Sequence, residues 1–185
     1  MIKLGAKELR ILTPEQNEQI KVQRHPLYII LDNVLDTYNI GAIFRLADAV
    51  GVKKVYLCGE SETPPNSRIK KASINTTEIV DWEHAPDAKT AIEKLRAEES
   101  GIKIYSVELD ARSVPYDSID YQFPAALIVG HESDGVSQEA MDLSDAIVEL
   151  PMWGINKSLN VMISLGIVLY EVMKKVDKTS LHHQT

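Results

Sequence analysis

The sequence predicts an α/β domain built on a mainly parallel sheet with helices on both faces. Three observations carry that prediction. The short unbroken apolar runs at residues 27–31 (LYIIL) and 125–129 (AALIV) have the form of strands buried on both faces. Segments with apolar residues at helical spacing alternate with such runs along the chain. The length, 185 residues, suits one domain with a sizeable core.

The elements follow in order. Thr13-Pro14-Glu15-Gln16 reads as a helix start, with Thr as N-cap and Pro at the first helical position. That helix ends before His25-Pro26, because a residue preceding proline avoids the α region. A strand covers 27–31. A helix over 40–50 stops at Gly51. The next strand is 52–57, followed by a polar loop over 60–76 that contains Pro64-Pro65. A short strand is predicted at 79–82 and an amphipathic helix at 87–99, with Ala91, Ile92, Leu95 and Arg96 on successive turns. Strands at 102–107 and 125–129 precede a short helix at 137–143. A last strand at 146–150 leads to a long helix over 158–174, apolar on most faces and expected to be buried. The expected organisation is a helical extension over 1–26, the α/β domain over 27–175 and a flexible tail over 176–185.

Composition narrows the function. The chain is 44% hydrophobic, too apolar to be disordered throughout. Its net charge of −7 argues against binding nucleic acid through bulk charge, and leaves local basic groups as the only electrostatic route. Three such groups exist: Lys3, Lys7, Arg10, Lys21 and Arg24; then Arg68, Lys70 and Lys71; then Lys174, Lys175 and Lys178. Each reads equally as solvated surface or as a partner contact. The single cysteine, Cys58, excludes a disulfide scaffold and a multi-cysteine zinc site. The opening MIKLGAKELR carries charges where a signal peptide needs an apolar run. The longest apolar stretch, 161–170, is about half the length that spans a bilayer. A cytoplasmic protein without membrane or metal partners is expected.

Common nucleotide motifs are missing. No G-x-G-x-x-G follows the first strand, and there is no P-loop. The 130–135 stretch (GHESDG) has G-x-x-S-x-G spacing, which misplaces Ser133 for a nucleophile elbow. No histidine pair has ligand spacing within a helix, and His182-His183 lie in the tail.

In open parallel sheets, ligands sit beyond the carboxyl ends of strands, here the loops after Leu31, Val107, Val129 and Leu150. Three segments there stand out. Asn39-Ile40-Gly41-Ala42-Ile43-Phe44-Arg45 opens a helix; Asn39 can cap it, and Gly41 admits a neighbouring backbone. It reads as a plain cap with a surface arginine or as part of a site. The glycine-bounded loop 130–135 reads as an ordinary turn or as a ligand loop with exposed backbone N–H groups. The 150–161 stretch (LPMWGINKSLNV) is unusually apolar for a loop and suggests a cover over a ligand or a subunit interface.

Taken together, Asn39-x-Gly41-Ala42-Ile43-x-Arg45, Gly130-x-Glu132-x-x-Gly135 and Pro151-Met152-x-Gly154 followed by Ser158-Leu159-Asn160-Val161 resemble the three motifs of the SpoU (TrmH-like) branch of the SPOUT methyltransferases. The resemblance runs from about Leu27 to Lys174. It implies a C-terminal deep trefoil knot, a fold feature that connection rules alone would not propose. It implies S-adenosylmethionine as cofactor, tRNA or rRNA as substrate and a ribose 2′-hydroxyl as the methyl acceptor. The matching cofactor positions are Gly130, Leu150 and Leu159, with Val107, Leu109 and Met152 beside them. The matching catalytic set is Asn39, Arg45, Glu132, Ser158 and Asn160, in a site at a homodimer interface. Arg45 is implied either as the group promoting proton loss or as a clamp on the neighbouring phosphate. Its high pKa favours the clamp. Glu132, Ser158 and Asn160 fall to orientation.

Two positions depart from the family pattern. His131 replaces a small or amide residue and reads as a loop cap or an RNA contact; Tyr38 precedes Asn39 and can stack on a base. The short stretch before the first strand resembles tRNA-type members, with Arg68, Lys70 and Lys71 as the RNA-binding candidates. The competing reading is a non-catalytic knotted RNA-binding or assembly factor.

Overall fold

The structure, a computed structural model, describes residues 3–11 and 22–176. The described strands are β1 (His25–Asp32), β2 (Val52–Cys58), β3 (Asp81–Ala85), β4 (Lys103–Val107), β5 (Val114–Pro115), β6 (Ala125–Gly130) and β7 (Ala146–Glu149). They form one parallel sheet in the order β3-β2-β1-β6-β4-β7-β5. The chain moves outward from β1 to β3, then crosses to β4 on the other side, and β6 later fills the space between β1 and β4. Strand order therefore reverses at the centre, the place where such sheets open a crevice.

The described helices are α1 (Ala6–Arg10), α2 (Thr37–Ala49), α3 (Ser67–Ser73), α4 (Ala88–Glu98), α5 (Gln138–Asp142) and α6 (Val161–Met173), with a 3₁₀ turn at Thr76–Glu78. Their placement explains the unbroken apolar run of β1. Leu27, Ile29 and Leu31 face a core completed by Ile40, Ile43 and Phe44 of α2 and Leu165, Val168 and Leu169 of α6. Tyr28 and Ile30 face the opposite core, completed by Ala88, Ala91, Ile92 and Leu95 of α4 and Ala140 of α5. With both faces covered, neither parity of the strand can be polar. Each fully buried leucine or isoleucine contributes about 1.5–3 kcal/mol.

Several expectations need correction. The polar 60–76 stretch is not all loop. Asn66 caps α3 by accepting from the N–H groups of Arg68 and Ile69 (2.9 and 3.2 Å), and Ile69 and Ser73 anchor it. The predicted 79–82 strand lies later, at Asp81–Ala85, because the 3₁₀ turn occupies the preceding residues. The last helix starts at Val161 rather than 158, so Ser158 and Leu159 precede it. Nor is that helix buried all round: Ile163, Ile167 and Tyr170 are exposed. The expected helix beginning at Thr13 lies outside the described residues, as does His182-His183. Among the described residues no helix is long and apolar enough to cross a membrane.

The α2–α3 packing turns on Gly41. A Cβ there would lie 2.6 Å from the Ala72 Cβ and 2.7 Å from the Ile69 carbonyl oxygen. Neither neighbour can rotate away. Gly41→Ala is expected to push α3 off α2 and cost roughly 1–3 kcal/mol. Chemical denaturation of the two proteins checks this, and equal stability would show that α3 can shift freely.

Candidate active site

The carboxyl ends of β6, β4 and β7 converge on a pocket of about 470 Å³. Its apolar lining includes Val107, Leu109, Val129, Leu150 and Met152, and its polar lining includes Glu132, Asn156, Lys157, Ser158 and Asn160. All six residues matched to the cofactor set (Gly130, Leu150, Leu159, Met152, Val107 and Leu109) line it.

The loop after β6 forms the pocket floor. His131 and Gly135 exchange main-chain hydrogen bonds of 3.1 and 2.9 Å, closing a tight turn. Gly135 has φ +72°, a backbone conformation natural to glycine. The turn folds so far back on Gly130 that a Cβ on Gly130 would stand 2.1 Å from the Gly135 carbonyl carbon and oxygen. His131 acts inside the loop: its Nδ1 accepts from the N–H groups of Ser133 and Asp134, both at 3.1 Å. This geometry matches the loop-cap reading of the histidine.

Two carboxylates that sequence reasoning passed over hold the loop in place. Asp32, buried at the end of β1, accepts from Ser137 N–H (2.8 Å). Glu108, just beyond β4, accepts from Val136 N–H (2.9 Å) and Leu109 N–H (2.9 Å). The available signal was position, since each is the first acidic residue ending a buried apolar run at the carboxyl edge of the sheet.

The three motif segments meet in one relay. Glu132 accepts from Leu35 N–H (3.2 Å), Asp36 N–H (3.0 Å) and Asn39 Nδ2 (3.0 Å). Asn39 Oδ1 accepts in turn from Asn160 Nδ2 (3.0 Å). Asn160 Oδ1 accepts from Met162 N–H (3.0 Å), which caps α6. Asn39 is therefore not the cap of α2. Asp36 is, accepting from Tyr38 N–H (2.8 Å), and this frees the buried Asn39 amide to join Glu132 to Asn160.

Partial burial pushes the Glu132 carboxyl up, but the hydrogen bonds from Asn39, Leu35 and Asp36 outweigh it and hold the group below its ordinary value of 4.5. A depressed carboxylate pKa stabilises the fold above the unfolded value, and that contribution is lost as pH falls through the folded one. The thermal stability gap between the parent and Glu132→Gln is thus expected to be full above pH 4.5 and to shrink below it. A gap independent of pH would show that the carboxylate charge plays no part in the relay.

Arg45 lies elsewhere. It is exposed on α2, does not line the pocket, and makes no side-chain hydrogen bond or ion pair among the described residues. Ser158 does line the pocket. The basic groups separate into paired and unpaired members. Arg24 is held by Asp48 (3.3 Å) and the Ile79 carbonyl (3.1 Å), Lys174 by Glu171 (2.6 Å) and Lys175 by Asp120 (2.5 Å). Arg68, Lys70 and Lys71 are exposed on α3 and have no ion pair among the described residues. Asn75 Nδ2 donates to the Leu9 carbonyl (3.1 Å), which brings α1, with Lys7 and Arg10, to the end of α3.

A parallel sheet with a nucleotide-sized pocket at the carboxyl ends of β6, β4 and β7, beside the strand-order reversal and bounded by a glycine-pinned loop, defines an α/β enzyme domain of the cofactor-binding kind. The model of the SpoU rRNA Methylase family matches residues 26–170. The chain belongs to that family. A tRNA (guanosine(18)-2′-O)-methyltransferase of Aquifex aeolicus is 31% identical over 169 residues, covering 89% of this chain and 77% of the relative. The enzyme of the same name from Escherichia coli is 29% identical over 168 residues, covering 89% and 70%. Among solved structures, the A. aeolicus TrmH/SpoU tRNA modifying enzyme superposes with a TM-score of 0.77 at 28% identity, covering 96% of this chain and 85% of that one. An AdoMet-bound rRNA methyltransferase from Sinorhizobium meliloti gives 0.74 at 29%, covering 87% and 60%.

Proposed function

We propose that the protein is an S-adenosylmethionine-dependent RNA methyltransferase that methylates a ribose 2′-hydroxyl, with tRNA favoured over rRNA. The observation that carries this is the relay from Glu132 through Asn39 to Asn160, which ties the first motif segment to the two that line the pocket. The relatives named above for tRNA 2′-O-methylation support the reaction and the preference for tRNA.

The pocket fits the cofactor. Its volume of about 470 Å³ suits an adenosine-sized ligand, and its apolar walls beside exposed loop backbone suit an adenine. The Gly130–Gly135 approach brings main chain to the pocket surface where a side chain would block it. Gly130, Leu150, Leu159, Met152, Val107 and Leu109 hold the ligand in this reading. The cofactor supplies an electrophilic methyl group. The chain's own residues do the rest. Glu132, Asn39 and Asn160 are positioning residues, and Ser158 orients the ribose from the pocket wall. Arg45 grips the phosphate beside the target ribose and stabilises negative charge developing on its oxygen.

Because Arg45 does not line the pocket of its own chain, the reading includes a homodimer in which one protomer's arginine serves its partner's pocket. The exposed apolar row Leu159, Ile163, Ile167 and Tyr170, with Leu35 and Tyr38 on α2 and the turn before it, supports such an interface. The position of β6 between β1 and β4 supports the family's knotted C-terminal topology. Arg68, Lys70 and Lys71, with Lys7 and Arg10, form the RNA-binding face, and the chain works in the cytoplasm.

The test is methyl transfer from labelled S-adenosylmethionine to unmodified total tRNA and, separately, to rRNA. Label is expected in tRNA. Label in neither RNA, with cofactor bound, would favour the non-catalytic alternative. Charge reversal at Arg68, Lys70 and Lys71 is expected to weaken tRNA binding and flatten its salt dependence, by about 0.7–0.9 log unit per lost phosphate contact. An unchanged slope would remove those residues from the interface.

A further inference from the structure

The loop between β7 and α6 has a tip that the pocket does not use. Met152, Asn156, Lys157 and Ser158 line the pocket, but Trp153, Gly154 and Ile155 between them do not. The tip projects from the rim into solvent: Trp153 is 92% exposed and Ile155 wholly so. A Cβ on Gly154 would meet nothing within 4 Å. Exposing an indole costs hydrophobic free energy, and the rest of the fold does not require it.

We propose that Trp153 is a specificity element that stacks on an unpaired nucleobase next to the methylated ribose, while Lys157 engages the adjoining phosphate. The inference rests on the methyltransferase reading and deepens it. Charge favours RNA as the occupant. Among the described residues, Lys157 is the only lysine or arginine lining the pocket and has no ion pair. An indole four residues from an unpaired ammonium, at the mouth of a pocket that must admit a ribose, combines stacking platform and phosphate contact as single-stranded RNA recognition requires.

The test uses intact protein and unmodified tRNA as probe. Trp153 fluorescence is taken as the difference between the parent and Trp153→Phe, in which Trp82 alone remains. tRNA is expected to quench that signal. Trp153→Ala is expected to weaken tRNA binding about tenfold or more, with Trp153→Phe restoring most of it and cofactor affinity unchanged in both. Three results would overturn the proposal: Trp153 emission shielded from acrylamide in RNA-free protein, which would place it in a subunit interface; tRNA binding without quenching; or a monomeric Trp153→Ala. If the parent transfers methyl groups but shows any of these, only this inference fails. If the parent neither binds nor methylates RNA, the functional reading fails with it.

Discussion

Replacing Arg45 with alanine will reduce methyl transfer at least about 10²–10³-fold, while the fold and the affinity for S-adenosylmethionine stay as they were. The loss of activity follows from the role proposed for Arg45, and the unchanged fold and cofactor affinity follow from where the side chain lies. Arg45 is exposed and unpaired among the described residues, so truncation leaves no buried partner stranded and changes stability by no more than about 0.5 kcal/mol. It is not part of the pocket lining of its own chain, so cofactor affinity is expected to be retained. On the proposed reading, what is lost is a fixed cation beside an oxygen that acquires negative charge. Arg45→Lys should recover little, because an ammonium lacks the planar fork that holds a phosphate from two sides. Single-turnover methyl transfer and calorimetric cofactor binding on the same preparations check the prediction. A parallel fall in cofactor affinity would mean that Arg45 shapes the pocket instead.

Gly130→Ala is expected to do the reverse, removing cofactor binding together with stability. The added methyl would meet the Gly135 carbonyl group at 2.1 Å and the Val136 nitrogen at 2.2 Å, all main-chain atoms. Relief requires the whole loop to move outward. That breaks the His131–Gly135 pair, the Asp32–Ser137 bond and the Glu108–Val136 bond together. A cost of about 3 kcal/mol is expected, which lowers the melting temperature by roughly 6–12 °C in a domain of this size. Gly154→Ala is the control, since its methyl enters open space and should leave stability unchanged. Thermal melts with and without cofactor separate the two effects. A Gly130→Ala protein that melts normally and still binds cofactor would contradict the tight loop geometry.

What the sequence made legible was whatever depends on local pattern. The apolar runs of β1 and β6 declared strands covered on both sides, and of the four loops to which the strand-end rule pointed, those after Val107, Val129 and Leu150 line the pocket while the one after Leu31 does not. Legibility failed where tertiary contacts decide. The α3 helix is held by Ile69, Ser73 and the gap at Gly41, none of which marks its polar sequence as helical. Asn39 has the right chemistry for a cap, but Asp36 takes that role and Asn39 is drawn into the relay by Glu132, which is 93 residues away. Asp32 and Glu108 went unnoticed because their partners are backbone N–H groups of a distant loop, invisible to any motif.

The most direct test of the central claim is the chemical position of the transferred methyl group. tRNA labelled by the protein should be digested with alkali and its products separated. A label retained in one alkali-resistant dinucleotide, and absent with Arg45→Ala, is the predicted result, since a methylated 2′-oxygen can no longer cleave its neighbouring linkage. A label released in a single mononucleotide would place the methyl on a base and contradict ribose methylation.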